Sequence, residues 1–318
     1  MENISVLMST YNEPERFLRQ SIESILGQTH SNFEFIIILD KPENVEIEHI
    51  VLEYASKDAR IRFYKNDENM GLARSLNKAI ELSSFDILAR MDADDIAEPE
   101  LLKKDLVFLK ENPQLHMVSV NCVCINENNE EIRPRIENFP TNFEITKRRM
   151  NYRNCVLHPG VMFYKKDLVE IGGYRNFPAT QDYDLWLRYI TKGWEFGFLD
   201  ECLIRYRLSE NNTTYGRALR QWICDKYLRE LYKERKKAGK DSFSEKELLK
   251  RMNNAGCSSI ASSEKFNRGR TLVSDSKGDL QRHKYFSSLI KLIRAFFIHK
   301  EMPSYVTHVL ISAVNNRI

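Results

Sequence analysis

No stretch of this 318-residue chain approaches the roughly 20 consecutive apolar residues needed to cross a bilayer, which argues against a membrane-spanning helix. A cleavable leader is not expected either, because Met1-Glu2-Asn3 runs straight into an apolar strand. Cysteine is scarce and unpatterned. The six, at 122, 124, 155, 202, 224 and 257, lack metal-ligand spacing and read as reduced thiols of a cytoplasmic protein. A dominant charge is missing too: 48 Lys and Arg stand against 45 Asp and Glu, a net charge of +3. No recognition motif accompanies the basic residues, so nucleic acid is discounted as a partner. There is no internal repeat, and the one biased segment is the short run Lys233-Glu234-Arg235-Lys236-Lys237.

What the chain does have is apolar content, 42%, sufficient to bury a full α/β core. Ile4 to Met8 reads as a buried strand running into Ser9-Thr10-Tyr11-Asn12-Glu13-Pro14. A helix follows, with Leu18, Ile22, Ile25 and Leu26 on one face, Pro14 suited to its first turn and Gly27 to its C-terminal cap. A second strand, Phe33 to Leu39, ends at Asp40. A third, Ile61 to Tyr64, precedes Asn66-Asp67-Glu68-Asn69-Met70-Gly71-Leu72-Ala73-Arg74 and a helix carrying Leu72, Leu76, Ala79 and Ile80. Strands alternating with amphipathic helices predict a mostly parallel, three-layered sheet. Polar residues then gather just past the strand ends, at Thr10, Asp40, Asp67 and Asp92, on the edge where open α/β sheets bind ligands.

The densest of these clusters is Arg90-Met91-Asp92-Ala93-Asp94-Asp95, at the end of the apolar run Phe85 to Met91. Adjacent carboxylates repel one another unless solvated or neutralised by a cation. Their hard oxygens suit Mg²⁺ or Mn²⁺, which keep several waters and also bind substrate phosphates. The plainer alternative is an acidic N-capping turn before a helix near Pro99. Similar alternatives stand beside the other candidates. Asp40 reads equally as a turn residue ahead of Pro42, Arg74 as a solvated arginine, and Asp182 and Asp184 as carboxylates that offset a helix dipole.

Five segments together resemble the family 2 glycosyltransferases: Ser5 to Glu13, Asn69 to Asn77, Met91 to Asp95, His158 to Phe163, and Gln181 to Arg188. They occur in the family's order over about the first two-thirds of the chain. The resemblance implies a GT-A type nucleotide-diphospho-sugar transferase fold, Rossmann-like, with a C-terminal helical appendage. It also implies a nucleotide-sugar donor, among which a UDP-sugar is expected, a divalent Mn²⁺ or Mg²⁺, and inversion at the anomeric carbon. Carried onto this chain, Asp94 and Asp92 would hold the metal. Thr10, Tyr11, Glu13, Asp40, Asn69, Gly71, Arg74, Asp92 and Ala93 would line the donor nucleotide. Within that set Tyr11 would stack, Asp40 would accept from the base, and Arg74 would meet the pyrophosphate. An inverting transfer needs a carboxylate on the acceptor side to take the attacking hydroxyl's proton. Asp182 fills that place, with Gln181 where the family commonly has Glu. His158, Asp184 and Arg205 are further candidates for acceptor or diphosphate contacts. The implied activity is that of a hexosyl- or N-acetylhexosaminyltransferase acting on a saccharide acceptor, expected as a polyprenyl-diphosphate-linked one, in O-antigen, capsule or exopolysaccharide synthesis.

The matching motifs fade near Asn211-Asn212-Thr213-Thr214. We therefore read residues 1–215 as the catalytic domain, its donor half about 1–97 and acceptor half about 98–215, and 216–318 as a helical, basic C-terminal region. Residues 284–300 set Lys284, Ser287, Ser288, Lys291 and Arg294 against Tyr285, Phe286, Leu289, Ile290, Leu292, Ile293, Phe296 and Phe297. Large apolar side chains opposite lysine and arginine suit an in-plane interfacial helix, and also an ordinary amphipathic helix packed on the catalytic domain. Peripheral association with the cytoplasmic face of the cell membrane is the expectation.

Two other functional classes are weighed against this one. A sugar-nucleotide nucleotidylyltransferase shares the architecture but needs a glycine-rich, basic loop after the first strand. Here that loop has no glycine and carries Glu13 and Glu15. A non-catalytic carbohydrate-binding protein would not need the acidic cluster together with Asp182.

Overall fold

β1 (Ile4–Thr10) and β2 (Phe33–Leu39) are buried on both faces, as strands of a parallel sheet become when crossover helices cover them. They are joined by α1 (Glu15–Leu26), and the alternation continues through α2 (Val45–Ala55), β3 (Ile61–Lys65), α3 (Leu72–Leu82) and β4 (Ile87–Asp92). A computed structural model describes residues 2–136, 139–208 and 218–315. The rest of the sheet region comprises β5 (Ile96–Ala97), α4 (Leu101–Glu111), β6 (Leu115–Ile125), β7 (Glu131–Arg133), α5 (Phe143–Arg149), β8 (Val161–Tyr164), α6 (Lys165–Glu170), α7 (Gln181–Lys192) and β9 (Glu195–Arg207).

Among the described residues these strands form one nine-stranded sheet in the order β3-β2-β1-β4-β8-β6-β9-β5, with β7 on β6. The first four strands are parallel, and β9 is parallel to β6, while β8, β5 and β7 run antiparallel to their neighbours. Register decides where the polar clusters fall. Thr10 pairs Leu39, Ser9 pairs Asp92, and Leu39 pairs Lys65, so four strand ends lie side by side. The chain steps outward from β1 to β3 and returns to the other side of β1 at β4. Ligands of open α/β sheets bind at such a reversal.

The chain divides into two compact units. The first comprises Met1–Arg148, Asn154–Asn176 and Gln181–Ser209; the second comprises Arg149–Arg153, Phe177–Thr180 and Glu210–Ile318. Two short segments from the first two-thirds of the sequence thus fold with the C-terminal region. Aromatic packing accounts for one of them: the Phe177 ring lies 5.1 Å from Phe243 and 6.3 Å from Tyr227. The expected boundary at Asn211–Thr214 and the 215/216 division fall outside the described residues.

The second unit carries α8 (Ala218–Ala238), α9 (Glu245–Ala255), α10 (Ile260–Gln281), α11 (Tyr285–Ile298) and α12 (Met302–Asn315). α11 presents its small and polar side to α10. Ser276 and Ser288 share a 2.8 Å hydroxyl contact, and Ser287 and Lys291 both donate to Asp279 at 2.6 Å. Gly269 permits the close approach of the chain beyond α11, since a Cβ there would stand 2.6 Å from the Met302 sulfur. The large side chains consequently face outward, with Phe286 78% and Phe297 80% exposed. Among the described residues no helix is long and apolar enough to cross a membrane.

Candidate active site

The loop after β1 closes on itself. Thr10 Oγ1 donates to Glu13 Oε2 at 2.5 Å, and the Tyr11 backbone N–H donates to the same oxygen at 2.8 Å. Tyr11 is left with an exposed ring, Lys41 Nζ standing 5.6 Å from its centroid. Asp40 is buried, and the chain itself engages it: Asn66 Nδ2 (2.7 Å), Met70 N (2.9 Å) and Gly71 N (2.9 Å) all donate to its carboxylate. Its first role is therefore to brace the 66–71 loop, and three of its roughly four acceptor positions are taken. Asn69 also accepts from Gly71 N, at 3.1 Å. Gly71, with φ +83°, caps α3, and Arg74 is exposed on that helix's first turn.

At the acidic turn the sequence reading missed the central residue. Arg90 is 2% exposed on β4, and it forms a two-pronged pair with Asp92, two residues on and on the same strand face. Burial opposes its charge, but the Asp92 carboxylate outweighs that and holds the guanidinium pKa above its ordinary value. The same guanidinium acts on Asp94, Asp95, His158, Tyr174 and Asp182. Ala93 is buried between the carboxylates, and the Asp92 carbonyl accepts from Ser21 Oγ at 2.7 Å. Burial, Asp92 and Glu13 push the Asp94 carboxyl up to about 7. Asp95 is fully buried and pushed up further by burial, Asp94 and Asp92. Its Oδ1 accepts from Arg207 N at 2.7 Å, whereas its Oδ2 has no partner among the described residues.

Asp182 opens α7. Asn154 Nδ2 donates to its Oδ2 at 2.7 Å, fixing the carboxylate, and burial raises its pKa. A carboxylate raised in this way is a better proton acceptor near neutral pH. Burial raises the Tyr206 hydroxyl pKa, and Asp95, Asp92, Asp94 and Asp182 add to the shift. His158 is buried, its Nε2 3.0 Å from Tyr174 Oη and its ring edge-on to Trp186. Burial and Arg90 push its pKa well down, so it stays neutral. Gly173 (φ +64°) lets the preceding loop reach this place; a Cβ there would meet Asn77 Oδ1 at 2.5 Å. Asn77 clamps the next residue, accepting from Tyr174 N and donating to Tyr174 O, each at 2.8 Å.

Two of the candidate contact residues are engaged by the chain itself. Asp184 is fully buried and bonded to Arg188 Nε at 2.8 Å, an i,i+4 pair inside the fold. Residues two apart on a helix do not share a face, so Asp182 and Asp184 point apart. Arg205, opposite Ile96 in the β5–β9 ladder, turns to Glu98 (3.0 Å) and Glu131 (3.8 Å). The arginine at the acidic turn is Arg207, which reaches the Asp94 carbonyl through Nε at 2.8 Å and Gln20 through Nη2 at 3.0 Å.

The donor set suits a hard divalent cation. Asp92, Asp94 and Asp95 crowd one turn and Asp95 Oδ2 is an orphaned oxygen, while both Asp92 oxygens accept from the buried Arg90. Among the described residues no three His, Cys, Asp or Glu side chains form a ready-made metal cluster. An ion held by one or two carboxylates completes its shell with waters and substrate phosphate.

Comparison with known proteins identifies the family and the fold. The family model described as glycosyl transferase family 2 matches residues 5–172. The chain is 35% identical to the O-antigen biosynthesis glycosyltransferase WbnJ of Escherichia coli, over 74% of this chain and 91% of that protein. It is 30% identical to an E. coli UDP-Gal:alpha-D-GlcNAc-diphosphoundecaprenol beta-1,3-galactosyltransferase, over 65% of this chain and 74% of that one. The fold is similar to that of S. aureus TarS residues 1–349, solved in complex with UDP, with a TM-score of 0.54 and 14% identity over 79% of this chain and 70% of that one.

Proposed function

Since the chain belongs to glycosyl transferase family 2 and is a glycosyltransferase, we propose that it inverts a sugar from a UDP-sugar onto a hydroxyl of a lipid-linked saccharide acceptor. The relatives named for O-antigen synthesis and for a diphosphoundecaprenol-linked acceptor support that substrate class. In this reading Tyr11 offers its exposed ring to the base, while Asp40 braces the 66–71 loop and keeps one acceptor position for the base N–H. Arg74, at the start of α3, faces the pyrophosphate as a fixed cation. Asp94 and Asp92 would hold Mn²⁺ or Mg²⁺, which when bound would supply Lewis-acid stabilisation of the charge growing on the leaving diphosphate. Arg90 holds the Asp92 carboxylate in place through its two-pronged contact. Asp182, fixed by Asn154, takes the proton of the attacking hydroxyl.

The observation that carries the reading is the sheet register, which sets Thr10, Leu39 just before Asp40, and Asp92 side by side at one edge of the sheet. A panel of nucleotide sugars with Mn²⁺ and a saccharide acceptor tests it through nucleotide release. Release with a UDP-sugar that requires both acceptor and metal is expected. Acceptor-independent release with every donor would remove the transferase assignment to this substrate class.

We assign the chemistry to the first unit and a supporting role at the inner face of the cell membrane to the second. The outward apolar face of α11 and the nearby Lys284 and Arg294 favour an anionic bilayer. Full-length protein is expected to sediment with anionic vesicles and to be only partly released by high salt. Counterions screen the basic residues but not the buried apolar face. Complete release by salt would leave α11 outside the interface.

A further inference from the structure

The second unit contains a cleft of about 470 Å³ between α8, α10 and α12, which continues past Arg270, Lys277 and Tyr305 into a hollow of about 370 Å³. Its lining is unusual in charge. Arg153, Arg270 and Lys277 converge on it, and none of the three makes a side-chain hydrogen bond or ion pair with another described residue. Arg270 and Lys277 lie seven apart on α10, hence on one face and two turns from each other. The carboxylates on the lining are Asp225, which stands 4.0 Å from Arg229, and the exposed Asp275. Arg229 also lies over the Trp222 ring, at 5.2 Å.

A second feature points to an acceptor-rich ligand. Trp222 lines the cleft, is 5% exposed, and its indole Nε1–H finds no acceptor among the described residues. Indole is a donor only, and a buried donor left unpaired is costly. Its ring is held edge-on by Tyr305 at 5.2 Å and packs at 5.4 Å against His308, whose Nε2 is engaged with the Tyr152 carbonyl at 2.8 Å. The donor is therefore fixed in place before any ligand arrives.

We infer that this cleft binds a phosphate ester or diphosphate group, with Arg153, Arg270 and Lys277 as its counter-charges and Trp222 Nε1–H as a directed donor. Guanidinium and ammonium groups without a partner among the described residues, set around a fixed N–H, match phosphate oxygens, which accept charge-assisted bonds in number. A saccharide without phosphate would leave the three charges unanswered. The group can arrive on a lipid in the bilayer or free in solution. The lipid source rests on the proposed membrane-borne acceptor; the site itself does not.

Proton–nitrogen NMR of the full-length protein reads the site directly, because the chain has 3 tryptophans and Trp222→Phe identifies the relevant indole signal. Inorganic pyrophosphate in metal-free buffer is expected to move that signal. Nanodiscs carrying polyprenyl diphosphate, compared with zwitterionic nanodiscs, separate the sources: a response to these alone assigns a lipid headgroup, and a response to pyrophosphate alone assigns a soluble anion. The double variant Arg270→Ala, Lys277→Ala should bind at least about tenfold more weakly by calorimetry, the scale of losing charge-assisted contacts. Its nucleotide release with a water-soluble acceptor should match wild type, so failure here is distinguishable from failure of the transferase reading. A Trp222 signal unmoved by both probes, or unchanged affinity in the double variant, overturns the inference.

Discussion

Replacing Asp182 with asparagine is expected to lower kcat by at least about 10²-fold, the scale of losing a general base. Asparagine keeps the size and the contact with Asn154, so the fold and the donor site should be untouched. Donor affinity by calorimetry should therefore hardly change while turnover collapses. Asp184→Asn should behave differently: it leaves the buried Arg188 without its charge partner and should cost stability first. A variant at 182 that retains full turnover would remove Asp182 from the proton-transfer role, and a stable but inactive 184 variant would move that role two residues along.

The second large effect separates two carboxylates of the acidic turn. Asp92→Ala strands a guanidinium that is 2% exposed, and breaking such a pair typically costs about 3–5 kcal/mol. It should lower the melting temperature and abolish transfer together. Asp94→Ala should abolish transfer while leaving the fold as stable or more so, because Asp94 is held against its charge by burial, Asp92 and Glu13. The sign follows from linkage. A carboxyl whose folded pKa is raised, here to about 7, favours the folded state while protonated. That contribution is fully present below its unfolded value and is lost as pH rises toward the folded one. Metal-free protein should thus lose stability between about pH 4 and 7. Mn²⁺ should restore it above that window more than below, and EDTA should abolish transfer. Equal Mn²⁺ stabilisation of wild type and Asp94→Ala would displace the cation from this turn.

Much of this was readable in advance, for physical reasons that differ by position. Buried parallel strands such as Phe33 to Leu39 announce themselves as unbroken apolar runs, and the polar residue closing each run lands on the ligand-binding edge. Asp182 was singled out within the family-like segment Gln181 to Arg188, and the structure puts it in the first turn of α7 with Asn154 donating to it. Arg90 was named with the acidic cluster but given no role, because the sequence does not show that its side chain is buried. The available signal was Asp92 at i+2, which shares its strand face. Arg205 and Arg207 have the same parity, so alternation cannot choose between them. The choice is made by the pairing of Arg205 with Ile96, which carries Arg207 two residues further, to the acidic turn. The orientation of α11 was equally hidden. Its two faces are plain in the residues, but which one turns inward depends on Ser276 and Asp279 of a neighbouring helix.

The position of β8 between β4 and β6 bears on how the chain can be made. β4 is laid down by residue 92, yet its second neighbour is not synthesised until residues 161–164. Until then the apolar Ile87–Met91 segment is an open edge, with unpaired backbone groups that template pairing with other chains. A fragment ending at the close of the donor half, near residue 97, keeps that edge for good and is a poor candidate for isolation. The nascent protein meets the same hazard for as long as translation takes to reach β8, a window in which holding by a chaperone matters more than the stability of the finished sheet.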